Sequence, residues 1–317
     1  MTAPAPSMNR QDWAILLVLS VLWGGSFFFI EIAIESVAPF TLVLIRVAIA
    51  AAFLWFWLLA RRERMALPPG AALALLVLAL LNNVIPFVLF AWAQAEITGG
   101  LASILNATTP IWGVIVAHAF TADEKATPGK VAGVLLGFGG VAVMIGADLL
   151  GDIGTGALAQ LACLASTLCY ALAGVWARRF RRMGVPPVAV STGQLTAAAL
   201  VMLPLVLVFE PPWLAPAPAP AAWLALIALA LFCTSIAYIL YFRLLASAGA
   251  TNSLLVTFLI PVTAILLGAL VLGEVLEPRH FAGMALIGLG LAAIDGRLFR
   301  RRASTATPSH PGESRDP

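Results

Sequence analysis

Apolar residues in this chain fall into ten long blocks separated by short polar or Pro/Gly-rich connections. The blocks run from Trp13 to Ile34, Pro39 to Ala60, Ala71 to Gln94, Ile97 to Phe120 and Lys130 to Asp148. The series then continues from Thr155 to Arg178, Pro186 to Phe209, Ala221 to Leu244, Ala250 to Gly273 and Arg279 to Leu298. A helix of about 20 apolar residues crosses the hydrocarbon layer of a bilayer, so the pattern predicts ten transmembrane helices and no soluble core. The longest connection, Glu210 to Pro220, alternates Pro and Ala and reads as an extended surface segment. The first block is longer than the apolar core of a signal peptide and no small-residue cleavage site follows it, so it is taken as a span. The polar stretch 303–317 predicts a disordered cytoplasmic tail.

Composition agrees with this reading. Of 317 residues, 62% are hydrophobic and 10% charged, against about 25% charged in a soluble domain. Mean hydropathy is +1.00. The pI near 9.0 then becomes a topology signal. With the N-terminus inside, sixteen of the eighteen Lys and Arg residues fall at cytoplasmic ends, including Arg61, Arg62, Arg64, Lys125, Lys130 and the run Arg178 to Arg182. Arg279 is outside and Arg46 lies within a span. The positive-inside rule therefore puts both termini in the cytoplasm. No nucleic-acid partner is implied.

The chain also repeats itself. Pro110, Glu124, Pro128, Gly133 and Gly140 recur in order and near-constant spacing as Pro261, Glu274, Pro278, Gly283 and Gly290. Two units of five helices follow, 13–148 and 155–298. An odd number of spans per unit turns the second copy upside down, and inverted repeats are a transporter architecture with the binding site between the halves.

These residues carry a family resemblance. Trp23-Gly24-Gly25-Ser26-Phe27 in the first span, a lone arginine in Leu44-Ile45-Arg46-Val47, and the paired endings Pro110…Asp123-Glu124 and Pro261…Gly273-Glu274 resemble the drug/metabolite transporter superfamily, in its ten-helix EamA-type branch. The resemblance spans Trp13 to Leu298. It implies an all-α membrane fold of two inverted five-helix repeats and a secondary transporter in a bacterial inner membrane, similar to exporters of aromatic amino acids and paraquat. Export of small metabolites, amino acids with neutral or aromatic side chains first, is the expectation. Efflux of drugs or quaternary ammonium compounds, and lipid handling, are the alternatives.

Polar stripes locate a cavity. The third, fourth, eighth and ninth spans carry them, while the fifth and tenth are Gly/Leu/Ala, with a close-packing Gly133–Gly137 pair. A helical proline frees the carbonyl four residues earlier. For the kinks at Pro86, Pro110 and Pro261 those carbonyls belong to Asn82, Asn106 and Thr257. Freed carbonyls are tolerated at membrane depth where they line water or find a partner. These three residues thus either border a cavity or satisfy kinked backbone. Trp23, Ser26, Asn83, Trp92, Gln94, Tyr170, Ser235 and Tyr238 complete the candidates, with Trp92 also able to serve as an interfacial anchor. Amides, hydroxyls and aromatics suit a small neutral or zwitterionic solute. A phosphorylated sugar would need a midplane Lys/Arg cluster that is missing from the sequence.

Arg46 stands about 10 Å into its span, with Glu31 as its expected partner and Glu35 as a rival, forming a structural ion pair or a gate. No span has an acidic residue near its middle, so ion coupling falls either to Glu31 or to no residue at all, the latter giving a facilitator. An enzyme is not expected: no HExxH, GxSxG or P-loop pattern is present, Asp148 and Asp152 form an isolated pair, and Cys163, Cys169 and Cys233 lack metal-ligand spacing. No metal or cofactor is predicted. The expected partners are a small-molecule solute and the lipid bilayer, with a monomer sufficient and higher oligomers left open.

Overall fold

The structure is a computed structural model that describes residues 8–63, 65–145, 156–214, 216–272 and 277–294. The tail 303–317, Arg64, Asp148, Asp152, Gly273, Glu274 and the far ends of the fifth and tenth blocks lie outside the described residues. Within them the chain is helical with no strand. The first seven spans are Arg10–Ile34, Pro39–Ala60, Ala71–Ala93, Gly99–Phe120, Pro128–Ile145, Ala157–Arg182 and Pro187–Phe209. A run from Pro220 to Leu254 holds the eighth span and the start of the ninth. The ninth continues as Val256–Leu272, and Pro278–Ile294 is the tenth. Helices stand at all ten predicted places; among the described residues seven are long and apolar enough to cross a membrane, the eighth span and the start of the ninth counting as one, and the fifth and tenth are shorter.

Boundaries move for local reasons. The first span starts at Arg10 because Asn9 and Asp12 form a reciprocal capping box, each side chain bonded to the other's backbone N–H at 2.9 Å. The sixth continues to Arg182, so Arg178 to Arg182 lie on helix, where arginine is a good helix former. It stops at Gly184, whose positive φ of 69° and the bond from Val185 N to Phe180 O complete a C-terminal cap. Between the eighth and ninth spans the helix does not end in a loop. Gly249, at φ 84° and ψ 173°, breaks it within one residue. Those angles are open to glycine and strained for any other residue.

The fifth and tenth spans prove the inversion. A Cβ built on Gly290 would sit 2.6 Å from the carbonyl oxygen of Gly133, and one on Gly140 would sit 2.8 Å from that of Gly283. The repeat pairs Gly133 with Gly283 and Gly140 with Gly290. Residue 133 meets 290 while 140 meets 283, so the helices cross antiparallel and each contact is the other's copy. Self-complementary exchange of that kind is the mark of a two-fold axis. The fold is two inverted five-helix repeats held at this end by backbone-to-backbone packing through glycine.

Candidate functional site

The third and eighth spans are each interrupted by a π-helical turn, Leu80–Val84 and Leu231–Ile236. Leu80 and Leu231 lie as far apart in the chain as Pro110 and Pro261, 151 positions, so the turns are one feature used twice. A π-turn withdraws carbonyls from the helical ladder, and such turns gather at functional sites. One carbonyl in each turn is taken by an aromatic donor from the opposite repeat. Tyr238 Oη donates to Asn82 O at 3.1 Å, and Trp23 Nε1 donates to Cys233 O at 3.1 Å. Asn82 and Cys233 are themselves 151 apart. The two halves are thus bonded reciprocally at mid-depth.

The fourth span breaks too, between Asn106 and Thr109. Pro110 therefore opens a new helix in its first turn, where a missing N–H costs nothing, and the carbonyl of Asn106 is taken by Thr109 Oγ1 at 2.6 Å. Pro86 similarly falls in the first turn after the π-turn. Of the three predicted kink prolines, only Pro261 sits inside a continuous helix, Val256–Leu272.

These breaks surround a cavity of about 90 Å³. Trp23, Ser26, Arg46, Asn82, Asn106, Tyr170, Tyr238 and Thr257 line it, so the structure brings together seven of the eleven candidate cavity residues and the lone arginine. Asn83 stands one layer behind, its Nδ2 donating to Tyr238 Oη at 2.9 Å. Ser235 lies outside the wall, bonded to the carbonyls of Ala230 and Ala50. Trp92 is a correction. It packs with Phe90, Ala102 and Cys163 in an apolar cluster behind part of the aromatic wall and does not itself line the cavity. Gln94 is buried close to Gly99, its side-chain nitrogen and oxygen both without a hydrogen bond.

Phe27, Phe87, Phe90 and Tyr241 also line the wall. Sequence reading passed over the phenylalanines because they look like ordinary span filler. Tyr241, one helical turn past Tyr238, had a usable signal. The rings form contacts typical of aromatic pairs: Phe90 stacks on Tyr170 with centroids 6.2 Å apart, and Trp23 lies 5.4 Å from Tyr241.

The expected Glu31–Arg46 pair is not formed. Glu31 is exposed and its carboxylate lies beside Gly99, at the start of the fourth span. Arg46 is 5% exposed. Its Nε donates to Thr234 Oγ1 at 2.8 Å and its guanidinium lies 3.7 Å from the centre of the Phe87 ring. Helical rise accounts for the mismatch: Arg46 is two turns into the second span, at the depth of the π-turns, while Glu31 is near the end of the first.

A second cleft opens at the end that bears Arg178 to Arg182. Tyr241 and Leu254 belong to the cavity and Phe242 and Gly249 to the cleft, so this narrow layer separates the two. Glu124 seals it. Its carboxylate is 4% exposed and accepts from Ala250 N at 3.1 Å, Thr251 N at 2.9 Å and Thr251 Oγ1 at 2.6 Å, capping the ninth span just beyond the Gly249 break. Arg178 Nη1 lies 3.6 Å from Glu124 and the same guanidinium binds Asp123. Arg178 holds the Asp123 carboxyl below the usual carboxylate range. Among the described residues no group of His, Cys, Asp and Glu has the arrangement of a metal site.

Comparison with known proteins agrees with this architecture. The EamA-like transporter family matches residues 12–146 and 157–294. An uncharacterized inner membrane transporter, YedA, of Escherichia coli is 25% identical over 86% of both chains. A probable terminal-alkyne amino-acid exporter of Streptantibioticus cattleyicolor is 26% identical over 95% of this chain and 98% of its own length. One solved crystal structure superposes with a TM-score of 0.75 at 23% identity, over 94% of this chain and all of the other.

Proposed function

We propose that this chain, which belongs to the EamA-like transporter family, exports amino acids with neutral or aromatic side chains from the cytoplasm by alternating access between its two repeats. The observation that carries the reading is the cavity between the halves: aromatic walls, amide and hydroxyl groups at fixed places, and broken helices on several sides. Aromatic walls accept an apolar side chain, while Asn82, Asn106 and Thr257 offer hydrogen bonds to a polar head. The similarity to a probable amino-acid exporter points the same way. Residues 13–148 and 155–298 act as the two moving units. The arginine distribution orients them with both termini in the cytoplasm of a bacterial inner membrane.

Transport on this reading is a change of packing and not a reaction. The chain binds a solute at mid-depth, and rearrangement about the breaks exposes it to one side or the other. Among the described residues no Asp or Glu lines the cavity, and Arg46 bonds Thr234 and not Glu31, so the reading takes the protein as a facilitator running down a solute gradient. The test is reconstitution into liposomes and counterflow with labelled amino acids and cationic drugs. Saturable exchange of phenylalanine or leucine that survives a protonophore is the expected result. A flat response across the amino acids overturns the export reading, and a strict need for a proton gradient overturns the facilitator.

A further inference from the structure

Arg46 carries a charge that its structural task does not need. It stands seven residues beyond Pro39, which opens the second span, and Gln194 stands seven residues beyond Pro187, which opens the seventh. The two are matched places in the two repeats. Each reaches into the π-turn of the opposite repeat: Arg46 Nε to Thr234, and Gln194 Oε1, as acceptor, from Asn82 Nδ2 at 3.1 Å. One neutral hydrogen bond does this work in the second repeat. A guanidinium does it in the first, at a burial cost of roughly 2.5–3.5 kcal/mol for a charge at helix mid-depth.

Nothing among the described residues neutralises that charge. Among the described residues no carboxylate lies within ion-pair distance of Arg46, and the cavity wall contains neither Asp nor Glu. The Phe87 ring offsets part of the cost. With Nε committed to Thr234, the two Nη groups make no hydrogen bond among the described residues, and the side chain lines the cavity. A planar fork of free N–H groups in a mostly apolar site is the geometry that takes a carboxylate through two parallel bonds.

We propose that Arg46 is the residue that recognises the substrate: its Nη groups bind the carboxylate of a small monocarboxylate whose apolar or aromatic body lies among Trp23, Phe90, Tyr170 and Tyr241. The proposal deepens the export reading and rests on it. It also turns away cationic drugs, which would meet an uncompensated positive charge at the centre of the cavity.

Wild type and Arg46→Gln are compared in liposome counterflow of labelled phenylalanine, with 3-phenylpropionate and its amide as competitors. Gln is chosen because the second repeat already uses it at the matched place. The acid is expected to inhibit wild type at a concentration at least tenfold below the amide, and Arg46→Gln is expected to erase that ratio. Equal inhibition by acid and amide in wild type, or a ratio that Arg46→Gln preserves, overturns the proposal while leaving the export reading standing. If wild type moves no amino acid, the export reading fails, and thermal stabilisation of the purified protein decides. Stabilisation by the acid and not the amide, lost in Arg46→Gln, supports the site, and its absence overturns it. Should Arg46→Gln not fold, Arg46→Lys replaces it. Lysine keeps the charge without the fork, so acid potency is expected to fall at least threefold with the amide unchanged, and no fall overturns the two-bond assignment.

Discussion

Replacing Glu124 by Gln should loosen the closure between the cavity and the arginine-bearing end. Glu124 holds the first turn of the ninth span through two backbone N–H groups and the Thr251 hydroxyl, and Arg178 holds Glu124. Gln keeps an acceptor oxygen but loses the charge. Hydrogen bonds to charged groups contribute about 1.5–3 kcal/mol against about 1 for neutral ones, and a negative charge at a helix N-terminus adds about 0.3–1 kcal/mol. The loss from the closed arrangement is therefore about 1.5–3 kcal/mol. These contacts reach across repeats, from the segment after the fourth span to the ninth, so they break if that end opens. At about 1.4 kcal/mol per tenfold, the open fraction should rise on the order of 10- to 100-fold. Thr257 lines the cavity beyond the Tyr241–Leu254 layer and is 5% exposed, which makes Thr257→Cys a reporter. Its alkylation by a maleimide in inside-out vesicles, with Cys163, Cys169 and Cys233 changed to Ala, should accelerate at least tenfold when Glu124→Gln is added. An unchanged rate with intact folding would refute the view that Glu124 holds this end shut.

Two further outcomes test the frame of the fold. Gly290→Ala should lower thermal stability by about 1–3 kcal/mol, because its Cβ would lie 2.6 Å from Gly133 O and 2.7 Å from Gly137 N, and backbone cannot step aside. Gly288→Ala, whose Cβ would meet nothing within 4 Å, is the control expected to leave the melting temperature unchanged, and equal effects of the two would contradict the glycine crossing. Asp123→Asn should cost no more than about 1 kcal/mol, since the Asp123–Arg178 pair is partly solvent-exposed. Arg178 depresses the folded carboxyl below its unfolded value of about 3.9, so the stabilisation is fully present above that pH and fades as pH falls through the depressed value. Melting curves of wild type and Asp123→Asn should differ at neutral pH and converge in strong acid. A gap that persists there would mean that Asp123 acts through packing.

The ten spans were legible because span length and hydropathy are one-dimensional properties of the chain. The inversion was legible from the spacing of Pro, Glu and Gly, and the glycines that marked the repeat are those that touch across it. The π-turns were not. Leu80–Val84 has a proline beside it, but Leu231–Ile236 does not, so its only local trace is a Thr-Ser pair whose hydroxyls bond back five residues to Leu229 and Ala230. The Arg46 partner was misjudged for a related reason. Opposite charges in neighbouring spans suggest pairing, but depth is counted along each helix, and Thr234 reaches Arg46 from a span 188 positions away. Trp92 was named for the cavity by residue type and span alone, and neither says which face of a helix a residue occupies; its alternative as an interfacial anchor stands.

The near-symmetry of the halves bears on how one site serves two sides of a membrane. Tyr238 on Asn82 and Trp23 on Cys233 bond each repeat to the matched π-turn carbonyl of the other, with donors from the eighth and first spans. The glycine crossing of the fifth and tenth spans is its own copy. If every contact were matched in this way, exchanging the conformations of the two repeats would return a structure of equal energy facing the other side, so symmetry makes both states accessible. A solute is not symmetric and needs one end recognised. Departures from symmetry are then where recognition should be sought, and among those at mid-depth one is a charge: Arg46 where the other half has Gln194, each bonded into the opposite π-turn. Both bonds tie the halves together, but only one side of the cavity offers a cation. On the proposed reading, a solute with a single carboxylate has one favoured orientation in either state, and turning the repeats does not require it to turn.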